Sequence, residues 1–274
     1  MELAIGTGGL KNKFSKEYWD IFTNAIDKGS FIHTALNYEN VEQYFLKAHS
    51  EGIKISKTII KIEINKNPLK KILNINSQVN TILEKFKLDH IETVQICNNP
   101  SSNFLNQLFL KSILENYKKK GILKNFIFDT FESFSQNLHR SIDDSFYKGY
   151  IFTLNLLQKG VSKKFLENLI KSNKKIISIS PFAGGRLEKI FFNFDINFKN
   201  QIDKIMKEND FEDYNTLSIA FLKAIKNNEI CIFGTKNKNR YIDLHNLIKT
   251  TKAITQEDVN RIINLQDKYK TEIR

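Results

Sequence analysis

Phe31-Ile32-His33-Thr34-Ala35-Leu36-Asn37-Tyr38 decides how this chain is read. Two apolar residues run into a polar pair, and a tyrosine stands five residues beyond His33. Glu39-Asn40-Val41-Glu42 follows and leads into a helix that continues to Ser50. A strand that ends in a polar turn and feeds a helix is one βα unit. Residues just past such a strand are where a fold of these units carries its site.

The pattern extends in both directions. Upstream, a short strand over 3–5 leads into a turn at Gly6, Gly8 and Gly9, and Ser15 is placed to cap a helix. Tyr18, Ile21, Phe22, Ala25 and Ile26 then form one apolar stripe at helical spacing, and Gly29 is a suitable stop. Downstream, strands are expected over 53–56, 93–97, 124–128, 150–154, 176–179 and 230–233. Helices are expected over 77–86, from 104 to near Gly121, in the 132–141 region, after Ser162, and around 199–208 and 214–226. Thr255-Gln256-Glu257-Asp258 reads as a capping box opening a terminal helix. Eight strands alternating with helices imply a parallel sheet with right-handed crossovers. The count favours closure into a (β/α)8 TIM barrel over an open sheet. No linker or low-complexity tract interrupts the chain, so residues 1–274 read as one α/β domain.

Composition narrows the function. With 41% hydrophobic residues the chain can bury a full core, and it holds no apolar run long enough to span a membrane. The start, Met1-Glu2-Leu3-Ala4, lacks a basic n-region, so no secretory signal is read and a cytoplasmic location is expected. Cys97 and Cys231 are far apart in sequence, which suits a reducing compartment. The net charge of +12 comes from 37 lysines against 5 arginines, scattered rather than clustered. It reads as a solvated surface, not a nucleic-acid footprint. There is no Gly-x-Gly-x-x-Gly turn, no Walker loop and no Cys or His pair at metal spacing.

The segment from His33 to Tyr38 resembles the Asp-Thr-Ala-x-x-Tyr signature of the aldo-keto reductases, with Thr34, Ala35 and Tyr38 matching and His33 at the Asp position. The resemblance implies that Tyr38 donates a proton to a carbonyl. It also implies that a strand-three lysine lowers the phenol's pKa. Lys57, at the end of Ile55-Ser56-Lys57, is the expected lysine, and a register shift would put Lys61 there instead. The strand-four histidine that binds the carbonyl oxygen in the family falls at Asn98 when counted back from Pro100, or at Cys97 when aligned on Gln95-Ile96.

Gly121 to Phe131 resembles the family's strand-five segment, which puts Asp129 and Thr130 where a Ser-Asn pair holds a nicotinamide carboxamide. The strand-six Gln is Ile151, and a strand-seven aromatic is Ile179. Ser180-Pro181-Phe182-Ala183-Gly184-Gly185-Arg186-Leu187 resembles the family's Ser-Pro-Leu-Ala-x-Gly-x-Leu loop, so Ser180, Gly184 and Gly185 are expected near a pyrophosphate. Gly234, Thr235 and Lys236 resemble the strand-eight phosphate loop. Arg240 stands where the family grips an adenosine 2′-phosphate, and an Arg fork suits a phosphate dianion. The family's adenine-side Asn falls at Leu244, or at Asn246 with a longer loop.

Together these imply a reductase using NADP, or NAD, on a small carbonyl compound, with sugar-related carbonyls among the candidates, as a monomer or weak homo-oligomer, with no metal, nucleic acid or membrane partner. Two other readings come from different classes: a silent barrel kept as a binding or regulatory module, and a non-redox site on a sugar nucleotide using His33.

Overall fold

β-Branched runs form the strands. They are β1 (Glu2–Gly6), β2 (Phe31–Ala35), β3 (Thr58–Glu63), β4 (Ile91–Cys97), β5 (Leu123–Asp129), β6 (Gly149–Thr153), β7 (Lys175–Ile179) and β8 (Asn228–Phe233). In this computed structural model, which describes residues 1–10, 14–64, 68–97, 104–130 and 142–269, they pair in sequence order, all parallel. β8 returns to β1 and closes an eight-stranded barrel, as expected.

Strand parity sorts the side chains. Leu3, Ile5, Ile32, Ile60, Ile62, Val94, Ile96, Phe126 and Phe128 face outward into the layer beneath the helices. Ala4, Ile59, Ile127, Ile151, Ile177, Ile230 and Ile232, with Phe31 and Ile179 against them, fill the barrel itself. At Gly149 a Cβ would sit 2.5 Å from the Lys175 carbonyl oxygen, so only glycine lets β6 approach β7 there.

The helices are α1 (Lys16–Asp27), α2 (Val41–Ser50), α3 (Pro68–Phe86), α4 (Phe104–Lys119), α5 (Lys163–Lys171), a short α6 (Leu187–Phe192), α7 (Ile196–Glu208), α8 (Tyr214–Ala224), α9 (Lys238–Thr250) and α10 (Gln256–Tyr269). Ser15 and Ser162 accept the backbone N–H of Tyr18 and Phe165, at 3.3 and 3.2 Å, and so cap α1 and α5 as expected. Thr255 Oγ1 likewise accepts from the Asp258 N–H at 3.1 Å. The helix expected over 132–141 lies outside the described residues.

One strand is displaced from its expected place. Residues 53–56 alternate in polarity, but Gly52 adopts φ 71° and Ile53 N–H bonds the Ala48 carbonyl, so this segment closes α2. β3 begins only at Thr58, opposite Ile32. That shift of several residues moves the whole strand-three lysine question.

Candidate active site

At the C-terminal ends of β2 to β5 the inward-facing side chains become polar, whereas β6, β7 and β8 keep isoleucine there. Parity carries this change: below the mouth the inward positions are Phe31, Ile59, Thr93 and Ile127, and two residues later they are His33, Lys61, Gln95 and Asp129. Tyr38 follows β2 through a turn closed by its N–H on the Ala35 carbonyl at 3.2 Å. Its ring lies against Gly8, where a Cβ would come within 3.4 Å of Tyr38 Cε2.

These groups are wired together. His33 Nε2 is 2.7 Å from Gln95 Oε1, and Gln95 Nε2 donates to Asp129 Oδ2 at 2.7 Å. The Cys97 thiol donates to the same carboxylate oxygen at 3.0 Å. A carboxylate only accepts, so Gln95 turns its amide nitrogen to Asp129 and its oxygen to His33, which therefore carries its ring hydrogen on Nε2.

Burial dominates the ionisation of the cluster. It pushes the Cys97 thiol and the Tyr38 phenol up, and Lys61 works against it at both. Burial lowers His33 below the ordinary histidine range, although Gln95 and Asp129 oppose it. At neutral pH the cluster thus holds a neutral phenol, thiol and imidazole.

Lys57 is not part of it. It precedes β3 at the N-terminal end of the barrel, where its ammonium pairs with Glu2 at 2.6 Å and lies 5.2 Å from the Phe31 ring centroid. Lys61, two strand turns higher, reaches Tyr38 electrostatically and pairs with Glu63 at 3.7 Å. Lys57 was expected at the mouth; the structure places Lys61 there instead, because β3 begins at Thr58. Cys97 ends β4 with its hydrogen committed to Asp129, and Asn98 lies outside the described residues.

A cleft of about 990 Å³ opens from this mouth. Tyr38 and His33 form one end, Ser180, Gly184 and Gly185 line its wall, and Gly234, Thr235, Lys236 and Arg240 line the far end. Seven of the expected cofactor residues thus share one groove. Asp129 and Thr130 do not line it: Asp129 is turned to Gln95 and Cys97, and Thr130 donates through N and Oγ1 to the Ile151 carbonyl. Leu244 lines the groove; Asn246 does not.

The groove wall is held under tension. Ser180 has φ 58°, and Ala183, Gly184 and Gly185 follow at 49°, 70° and 77°. Asn155, fully buried, donates to the Ser180 carbonyl at 2.9 Å, and Gln266 of α10 donates to the Asn155 carbonyl at 2.7 Å. Ser218 donates to the Pro181 carbonyl at 2.7 Å. At the start of α9, Asn237 caps the helix by accepting the Arg240 N–H at 3.1 Å.

The aldo/keto reductase family model matches residues 2–267. The chain belongs to the aldo/keto reductase family. Its fold is similar to that of an aldo-keto reductase from a Medee basin deep-sea metagenome, at 16% identity and TM-score 0.70, covering 99% of this chain and 92% of the other. It is similar to a silkworm (Bombyx mori) aldo-keto reductase at 17% identity and TM-score 0.69, covering 96% and 83%. A Klebsiella pneumoniae aldo-keto reductase solved in complex with NADPH matches at 14% identity and TM-score 0.70, covering 99% and 92%. No curated protein matches.

Within this aldo/keto reductase, Gln95 and Asn155 were not singled out by sequence. Gln95 is legible only once β4 parity is known, and Asn155 only from the loop it supports. Phe182 and Phe233, edge to face at 5.6 Å, give the groove an aromatic wall beside Ile179.

Proposed function

We propose that this chain reduces a small carbonyl compound with NADPH. One observation carries the reading: a single groove runs unbroken from Tyr38 to Arg240. Its residues fit the dinucleotide. Gly184 and Gly185 offer backbone with no side chain in the way, Thr235 offers a hydroxyl, and Lys236 and Arg240 bring cationic side chains suited to a phosphate dianion. Glu188, Asp213 and Asp243 also border this half. Asp213 is occupied in capping α8, where it accepts from Thr216 N–H and Oγ1, both at 2.8 Å. A solved relative with NADPH bound adds support.

When bound, the reduced nicotinamide supplies a hydride. The protein's own work is the proton. Tyr38, kept protonated by burial, gives its Oη hydrogen to the carbonyl oxygen as negative charge develops there, and solvent later restores it. Lys61 eases this step because a nearby ammonium stabilises the phenolate left behind. Leu10, Tyr18 and Phe182 also line the groove.

The test is NADPH oxidation at 340 nm over a panel of aldehydes and ketones. Turnover that falls in Tyr38→Phe while NADPH binding persists is the expected result. NADPH binding without turnover on any carbonyl would instead favour a binding module built on the same barrel.

A further inference from the structure

We propose that α10 braces the dinucleotide groove from outside, with Gln266 as the positioning residue that acts through Asn155 on Ser180. This role rests on the dinucleotide reading above, and it makes NADPH binding and the docking of α10 strengthen each other.

Ser180 follows β7 in the groove wall, and its φ of 58° lies in the left-handed region. A residue with a side chain holds that conformation only where its surroundings enforce it. The Ser180 carbonyl oxygen takes two hydrogen bonds, from the Ala183 N–H at 3.0 Å and from Asn155 Nδ2 at 2.9 Å. The first is local to the loop. The second comes from the turn after β6 and fixes where the loop stands.

Asn155 has no freedom to drift. Its Oδ1 accepts the Leu157 and Gln158 N–H groups at 2.9 and 3.1 Å, and its own N–H donates to the Gln158 carbonyl at 3.0 Å. Its carbonyl is the remaining group, and Gln266 Nε2 satisfies it at 2.7 Å. Both residues are buried, so water cannot easily replace a missing donor there.

α10 reaches the same stretch of chain twice more. Lys159, its side chain almost wholly buried, donates through Nζ to Asp267 Oδ1 at 2.5 Å and to the Ile263 carbonyl at 3.4 Å. Lys163, at the start of α5, donates to Asn264 Oδ1 at 2.7 Å. Val259, Ile262 and Ile263 are buried in the core and seat the helix. Among the described residues, none of α10 lines the groove, so any effect of a groove ligand on α10 runs through the protein.

Gln266→Met tests this. Methionine keeps the buried volume and removes the donor, and among the described residues Gln266 Oε1 has no hydrogen-bond partner to lose. By calorimetry the NADPH Kd should rise about three- to tenfold, the weight of one hydrogen bond. Adding Ser180→Gly should recover most of the loss, because glycine takes a φ of 58° unaided. Asn264→Ala cuts the exposed Lys163 contact of α10 and should leave Kd unchanged. An unchanged Kd in Gln266→Met, a rise that Ser180→Gly does not recover, or an equal rise in Asn264→Ala each overturns the proposal. Hydrogen exchange on the wild type reads the reciprocal effect without any variant. NADPH should slow the amides of 259–269, and exchange there that ignores saturating NADPH refutes the coupling. A wild type that binds no NADPH defeats the dinucleotide reading alone. The brace is then decided on the ligand-free protein, where the amides of 183–186 should exchange faster in Gln266→Met than in wild type; equal rates refute it.

Discussion

Exchanging each of two lysines for methionine separates the two ends of the barrel. Lys61→Met removes the ammonium that acts on Tyr38 at the mouth. Removing one preorganised electrostatic group of this kind costs roughly 10²–10³ in kcat, about 3–4 kcal/mol. Lys57→Met removes a different set of contacts: a 2.6 Å pair with Glu2 whose side chains are 41% and 55% exposed, and a cation–π contact with Phe31 at 5.2 Å. An exposed pair contributes about 0–1 kcal/mol and an exposed cation–π contact about 0.5–1, all of it to stability. The assay is steady-state NADPH oxidation with 4-nitrobenzaldehyde, alongside urea denaturation of both variants. Lys61→Met should lose activity with stability nearly intact, and Lys57→Met should keep kcat within about twofold. Loss of kcat in Lys57→Met equal to that in Lys61→Met would refute the placement of β3 on which the site depends.

Three further outcomes follow from the same geometry. Asn155→Ala should weaken NADPH binding several-fold by releasing Ser180 from φ 58°, and adding Ser180→Gly should recover most of it, because glycine adopts that backbone unaided; calorimetric titration showing no rescue would count against the strained loop. His33 is held below the ordinary histidine range by burial, so the unfolded chain binds its proton first as pH falls. Stability is therefore lost from about pH 6.5 downward, and His33→Gln should show a shallower fall in Tm between pH 7 and 5; parallel curves would contradict it. Cys97 and Cys231 are both buried with raised pKa values, Cys231 to about 12. A thiol reagent should therefore label neither quickly in the native protein and both in urea, and fast native labelling of Cys97 would mean the mouth is open to solvent.

The barrel was readable because its signals are local. The apolar stripe of α1, the serine caps and the β-branched runs each declare themselves within a dozen residues, and eight such units leave little choice of topology. The mouth was only half readable. Tyr38 and the groove residues follow strands directly and need no register. The lysine needed one, and residues 53–56 mimic a strand because Ile53 and Ile55 pack against the core after α2 has ended. The Gln95–Asp129 link joins side chains 34 positions apart through parity and barrel closure, which no motif records. Asn155 sits in an irregular turn after β6, and its role is visible only from the carbonyl of Ser180.

Whether the groove between Tyr38 and Arg240 takes a dinucleotide is tested most directly by titrating the protein with NADPH and following nicotinamide fluorescence. Saturable binding to one site, weakened about tenfold or more by Arg240→Leu, is expected from loss of a charge-assisted phosphate contact. A signal that does not saturate up to millimolar NADPH would show that the groove is not a dinucleotide site.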